Sequence, residues 1–155
     1  DLCRVGIGCG ARKAEILNLT AEDIDLAEGV AHFRAETTKT ATMRSVPLTR
    51  GALEILKERA ERFPEGSLFA DAQPTLVQYR FDQTREAAGI SKLNGIGRPL
   101  SFRSIRTTVG SWLAQRTGDI YAISKILGNS PDVAAAHYGH LLPRKLVDVM
   151  STIDV

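Results

Sequence analysis

Apolar residues recur at helical spacing in some stretches of the chain and alternate with polar ones in others. In ARKAEILNLTAEDIDL the repeat predicts a helix that ends near Leu19. A turn then opens at Thr20, with Asp23 three residues on in the manner of a capping box. GVAHFRAET and MRSVPL are β-prone and flank the polar link TKTAT, so they predict a hairpin or small meander. TRGALEILKERAERF sets Leu53, Leu56, Ala60 and Phe63 on one helical face, with Thr49 available as N-cap. PTLVQYRFDQTREAAG opens on Pro74 and closes on Gly89, the punctuation expected of a helix, and NGIGRP is a loop.

The C-terminal half continues the helical pattern. SIRTTVGSWLAQRTG predicts a helix with Ile105, Val109, Trp112 and Leu113 turned inward and Gly118 at its end. DIYAISKILG predicts a shorter helix, capped by Asp119 and stopped at Gly128. SPDVAAAHY has Ser130 as N-cap and Pro131 at the first helical position, and PRKLVDVMSTI predicts a last helix. The sum is an α+β fold, mainly α-helical, with one small antiparallel β-sheet.

Composition narrows the class. At 155 residues, with 43% apolar and 25% charged residues, the chain suits one domain with a sizeable core. No apolar run approaches the ~20 residues of a membrane span. The opening DLCRVGIGCGARK has too short an apolar stretch for a signal peptide. It also begins without Met, so residues 1–155 are read as a single domain cut from a longer protein. Cys3 and Cys9 suggest no disulfide framework and favour a reducing, cytoplasmic setting.

The net charge of +2 hides an uneven distribution. From Arg98 to Lys145 the bases are Arg98, Arg103, Arg106, Arg116, Lys125, Arg144 and Lys145, against only Asp119 and Asp132. Such a half-chain fits either a polyanion-binding face or a solvated surface.

Several familiar motifs fail. GIGCGARK lacks the Gly-Lys-Ser/Thr ending of a phosphate loop and the strand that precedes a dinucleotide fingerprint. His137 and His140 could share a helical face, but no Cys or acid cluster stands beside them to complete a metal site. No Gly-x-Ser-x-Gly elbow is present. No cofactor and no metal are therefore expected.

Other residues stand where their type is informative: Arg12 at a helix start, Lys39 in the polar hairpin link, Arg106 within an otherwise apolar helix, Asn129 before a helix N-terminus, and Tyr138 nine residues later. Singly, each has an ordinary reading as a solvated or packed side chain. Together they resemble the catalytic domain of the tyrosine recombinases, the phage-integrase family. GARKAEILNLTAEDID resembles its first-arginine box, with Arg12 three residues before Glu15. TKTATMRSVPL resembles its lysine hairpin, and SFRSIRTTVGSWLAQRTGDIYAISKILGNSPDVAAAHYGHL its second-arginine and tyrosine boxes. The likeness runs over nearly the whole chain in the family's order. Two positions depart from it. Arg103 stands where the family usually has His, and Asn129 where it usually has His or Trp.

The resemblance implies the tyrosine-recombinase catalytic-domain fold and site-specific cutting and rejoining of double-stranded DNA through a 3′-phosphotyrosine. It implies catalytic roles for Arg12, Lys39, Arg103, Arg106, Asn129 and Tyr138. It also implies a separate N-terminal DNA-clamping domain, self-assembly on DNA as a tetrameric synapse with residues 143–155 available for docking, and a nucleoid-associated bacterial or phage-encoded protein. The chemistry agrees. Attack of a tyrosine oxygen on a phosphodiester gathers negative charge on the non-bridging oxygens, which two permanently charged guanidiniums can clamp without a metal. A lysine in a hairpin can protonate the leaving 5′ oxygen. Two other outcomes stay open: a degenerate member that binds DNA or assembles without cutting, for which Arg103 and Asn129 speak, and a topoisomerase-like enzyme with the same chemistry.

Overall fold

The computed structural model describes residues 1–34 and 43–142. Helix α1 (Leu2–Cys9) opens the chain and α2 (Lys13–Leu17) follows it. A three-stranded antiparallel sheet comes next, ordered β1 (Ile24–Asp25), β2 (Val30–Phe33), β3 (Arg44–Pro47). Helices α3 (Arg50–Arg62), α4 (Val77–Ala87), α5 (Phe102–Thr117), α6 (Ile120–Leu127) and α7 (Pro131–Tyr138) complete the described residues. The mainly helical fold with a small antiparallel sheet is the one the sequence pattern predicts. No described helix is long and apolar enough to cross a membrane.

Local chemistry explains most of the boundaries. Asp119 accepts hydrogen bonds from the backbone N–H groups of Tyr121 and Ala122, so α6 starts there. The Ser130 hydroxyl accepts from Val133 N–H, and Pro131 opens α7 with a φ already suited to a helix. Thr20 N–H donates to Asp23 at 2.9 Å, closing the predicted turn at Ala21–Asp23. The β2–β3 register pairs Ala31 with Val46 and Phe33 with Arg44. Thr49 occupies the N-cap position of α3, but its side chain makes no capping bond.

The pattern missed α1. Its stretch carries Gly6 and Gly8, which lower helix propensity, yet tertiary packing overrides the preference. A Cβ on Gly8 would lie 2.3 Å from Ala52 Cβ and 2.5 Å from Thr49 Oγ1, so only glycine lets α1 lie this close to the start of α3. α2 is also shorter than the helix predicted to reach Leu19.

Two cores result. One joins α1, the sheet and α3 around Val5, Ile16, Phe33, Val46 and Leu56. The other joins α5, α6 and α7 around Val109, Ala114, Ile123, Leu127, Ala134 and Tyr138. Each fully buried Leu or Ile contributes about 1.5–3 kcal/mol by transfer from water. Trp112 does not belong to the second core. It is 44% exposed, against the inward position its spacing predicts. The inward face of α5 runs through Phe102, Val109, Gly110 and Ala114, and Trp112 stands off to its side. On α3 the buried stripe is Ala52, Ile55 and Leu56, with Leu53 and Ala60 at its margin.

Candidate active site

The site forms where the two cores meet. Arg12 is the N-cap of α2, and Glu15 reaches back to it twice. One carboxylate oxygen accepts from Arg12 N–H at 2.8 Å, and the other from its guanidinium at 2.7 Å. Glu15 is only 1% exposed, so its charge needs further compensation. Arg44, at the start of β3, supplies it. Its two terminal nitrogens donate to the two oxygens of Glu15 at 3.1 and 2.7 Å. Its Nε donates to the Ile126 carbonyl at 3.3 Å, and its guanidinium lies over the Phe33 ring at 4.5 Å. Burial alone would raise the Glu15 carboxyl, but the hydrogen bonds from Arg44 and Arg12 outweigh it and hold the group below the ordinary carboxylate value.

Arg106 reaches the same place from α5. It donates to the Gly10 carbonyl at 2.9 Å, to the Leu127 carbonyl and to Asn129 Oδ1 at 2.9 Å. Arg12 donates to the Gly128 carbonyl at 3.0 Å and, more weakly, to the same Asn129 oxygen at 3.5 Å. Burial, and then repulsion from Arg12, lower the Arg106 pKa to about 10, so it stays charged at neutral pH. Asn129 thus turns its carbonyl to the two arginines, and its amide Nδ2 makes no hydrogen bond among the described residues.

Tyr138 ends α7 and is 6% exposed. Its ring lies on the bare backbone of Gly110, one helical turn beyond Arg106. A Cβ there would meet Tyr138 Cζ at 2.3 Å and its hydroxyl at 2.6 Å. Burial raises the phenol's pKa, while Arg106 and then Arg103 pull it down, and burial prevails. The cations favour the phenolate, as their charge requires, but in this seat the tyrosine is a weaker acid than in water. Arg103 is exposed in the first turn of α5 and makes no ion pair among the described residues. His137 stands in the last turn of α7 with its ring 6.1 Å from that of Tyr138, and His140 lies in the short turn that follows. Among the described residues no three His, Cys, Asp or Glu are grouped to hold a metal ion.

The structure therefore brings Arg12, Arg106 and Asn129 into direct contact and seats Tyr138 beside Arg106, with Arg103 at the rim. Lys39 and residues 143–155 lie outside the described residues. Arg44 was not singled out by the sequence. A signal existed, because strand alternation puts Arg44 on the same face as Val46, and Val46 is fully buried.

Comparison with known proteins identifies the family. The model of the phage integrase family matches residues 2–145. Tyrosine recombinase XerC of Pseudomonas fluorescens is 31% identical over 136 residues, covering 86% of this chain and 45% of that protein. Tyrosine recombinase XerC of Neisseria meningitidis is 34% identical over 127 residues, covering 79% and 40%. The chain thus spans less than half the length of these relatives. In fold it is similar to the catalytic domain of bacteriophage HP1 integrase, with a TM-score of 0.70 at 22% identity over 99% of this chain and 80% of that one.

Proposed function

The chain belongs to the phage integrase family, and from that premise we propose that it is the catalytic part of a site-specific recombinase acting on double-stranded DNA. The observation that carries this reading is the convergence of Arg12 and Arg106 on one side-chain oxygen, with Tyr138 seated on the next turn of α5. Two fixed guanidiniums beside a tyrosine suit phosphoryl transfer and need no metal. This grouping supports cutting over DNA binding alone.

The Tyr138 oxygen attacks the phosphorus, forming the O–P bond as the P–O5′ bond breaks. Arg12 and Arg106 hold the non-bridging oxygens, where negative charge grows. Lys39 gives its proton to the departing 5′ oxygen. The phenol's proton goes to water, since Arg103 is permanently charged and cannot accept it. The 3′-phosphotyrosine keeps the ester bond, so a 5′ hydroxyl from another strand can reverse the step and rejoin the DNA. Tyr138 must first leave its seat or exchange burial there for contact with DNA, because a phenol held protonated attacks poorly. Residues 143–155 would serve assembly with further copies on the DNA.

The test uses the full-length protein and nicked candidate sites in the presence of EDTA. A covalent protein–DNA band is expected, and Tyr138→Phe should abolish it. A band that persists in the Phe variant, or none from bound wild-type protein, overturns the reading.

A further inference from the structure

A pocket of about 580 Å³ opens beside the arginine site, between β3 and the junction of α6 and α7. Its lining includes Arg44, Ser45, Lys125, Gly128, Asn129 and Ser130, and among the described residues no carboxylate contributes to it. Neither Arg12, Arg106 nor Tyr138 lines it. Asn129 stands on the boundary, with its carbonyl taken by the two arginines and its amide hydrogens still to be satisfied.

The other groups on the wall are donors as well. Arg44 has five N–H groups. Among the described residues three are engaged, with Ile126 and the two Glu15 oxygens, which leaves two. Lys125 makes no ion pair among the described residues. The Ser130 hydroxyl accepts from Val133 N–H at 3.3 Å, so its own hydrogen remains to give. Lys125, the remaining N–H groups of Arg44, whose charge Glu15 already balances, the Asn129 amide and the Ser130 hydroxyl form a site for an anion, with no acid among the described lining residues. Successive phosphates of one DNA strand are spaced ~3.4 Å along the helix axis, so a strand gripped by the arginines brings a neighbouring phosphate to the far side of Asn129.

We propose that this pocket is a second phosphate site, which holds the phosphodiester next to the one clamped by Arg12 and Arg106, with Lys125 as its principal charge. The inference rests on the DNA-cutting reading above and extends it to a residue outside the cutting chemistry.

The experiment measures binding of the full-length protein to a duplex across a range of salt concentrations, for wild type, Lys125→Ala and Lys125→Arg. One lost phosphate contact should lower the slope of log affinity against log salt by about 0.9 in Lys125→Ala, a loss of roughly eightfold at 0.1 M relative to 1 M salt. Lys125→Arg should keep the wild-type slope. Equal slopes in all three proteins overturn the proposal. Inorganic phosphate, exchanged for chloride at constant ionic strength, identifies the source of the anion. Displacement of DNA from wild type but not from Lys125→Ala is expected if phosphate competes for the pocket the diester fills. Lys125-dependent phosphate binding that leaves DNA affinity unchanged would instead assign the pocket to free phosphate and overturn the diester assignment. The covalent-band assay is read separately. A Lys125-dependent slope without any band removes the cutting and keeps the pocket, whereas a band with equal slopes does the reverse.

Discussion

Arg44 holds both carboxylate oxygens of Glu15 and thereby fixes the residue that fixes Arg12. The link runs from the sheet, through a buried carboxylate, to the first of the two clamping arginines. A lysine cannot reproduce it, because one ammonium cannot span both oxygens in a planar fork. Arg44→Lys should slow formation of the covalent band at least tenfold while duplex affinity changes little. Single-turnover cleavage and equilibrium binding of the full-length protein separate the two quantities. Equal loss in both would show that Arg44 contributes as charge alone.

The same carboxylate makes stability depend on pH. Its folded pKa lies below the unfolded value, so its contribution is complete above about pH 4.3. That contribution is lost as pH falls through the folded pKa. Glu15→Gln should cost about 3 kcal/mol at pH 7, as expected when one partner of a buried ion pair is removed. The variant should lose less stability than wild type on acidification. Urea unfolding at pH 7 and near pH 3 checks both the cost and the sign.

Gly110 gives a third expectation. A methyl group cannot coexist with the Tyr138 ring as seated. Gly110→Ala should push the ring off α5, costing about 1–3 kcal/mol by overpacking, and bring the phenol toward its ordinary pKa of about 10. Spectrophotometric titration, with Tyr138→Phe subtracted to remove the signal of Tyr79 and Tyr121, reads the change directly. An unaltered Tyr138 titration would mean that α5 shifts instead of the tyrosine.

Lys39 is tested by chemistry. If it protonates the leaving oxygen, Lys39→Ala should slow cleavage by about 10²–10⁴. A substrate with sulfur at that position leaves without a proton and should restore the rate. Equal slowing on oxygen and sulfur substrates would assign the proton to another group.

Arg103 and Asn129 now differ in kind. Asn129 supplies an acceptor that both arginines use, so Asn129→Leu should slow cleavage by about 10²–10³ as the clamp loses its reference point. Arg103 is exposed and free of ion pairs among the described residues, and it acts on Tyr138 only through its charge. Arg103→His should speed cleavage above about pH 6.5, where a neutral imidazole can take the phenol's proton. A flat pH profile in that variant would show that proton acceptance does not limit the rate.

Much of this was legible in the sequence because the local signals are strong. Asp119, Gly128, Ser130 and Pro131 bracket α6 and α7 by capping chemistry that needs no tertiary context. The order of Arg12, Arg106, Asn129 and Tyr138 along the chain marked these residues as a candidate group, and the fold brings them together. What stayed hidden depends on contacts distant in sequence. α1 packs on α3 only because Gly8 admits Ala52 so closely, a contact that local preference does not reveal. Trp112 stands off to the side of an inner face that includes Gly110 and Ala114, and small residues carry little weight in a hydrophobic pattern. Arg44 was not singled out, since nothing nearby in sequence announces the carboxylate it meets, 29 positions away.

Arg106 is held by acceptors belonging to both cores: the Gly10 carbonyl from the α1 side, and Leu127 and Asn129 from the α6–α7 side. No half of the molecule can build the clamp alone. Separating α5–α7 from the α1 side would break the Arg106–Gly10, Arg12–Gly128 and Arg44–Ile126 hydrogen bonds together and draw Phe102 of α5 out of the first core. On the recombinase reading, a protein caught half-open would meet DNA through its basic surface yet have no assembled means of breaking a strand. On that same reading, the joint between the halves would be an interlock that arms the tyrosine only in the fully docked molecule.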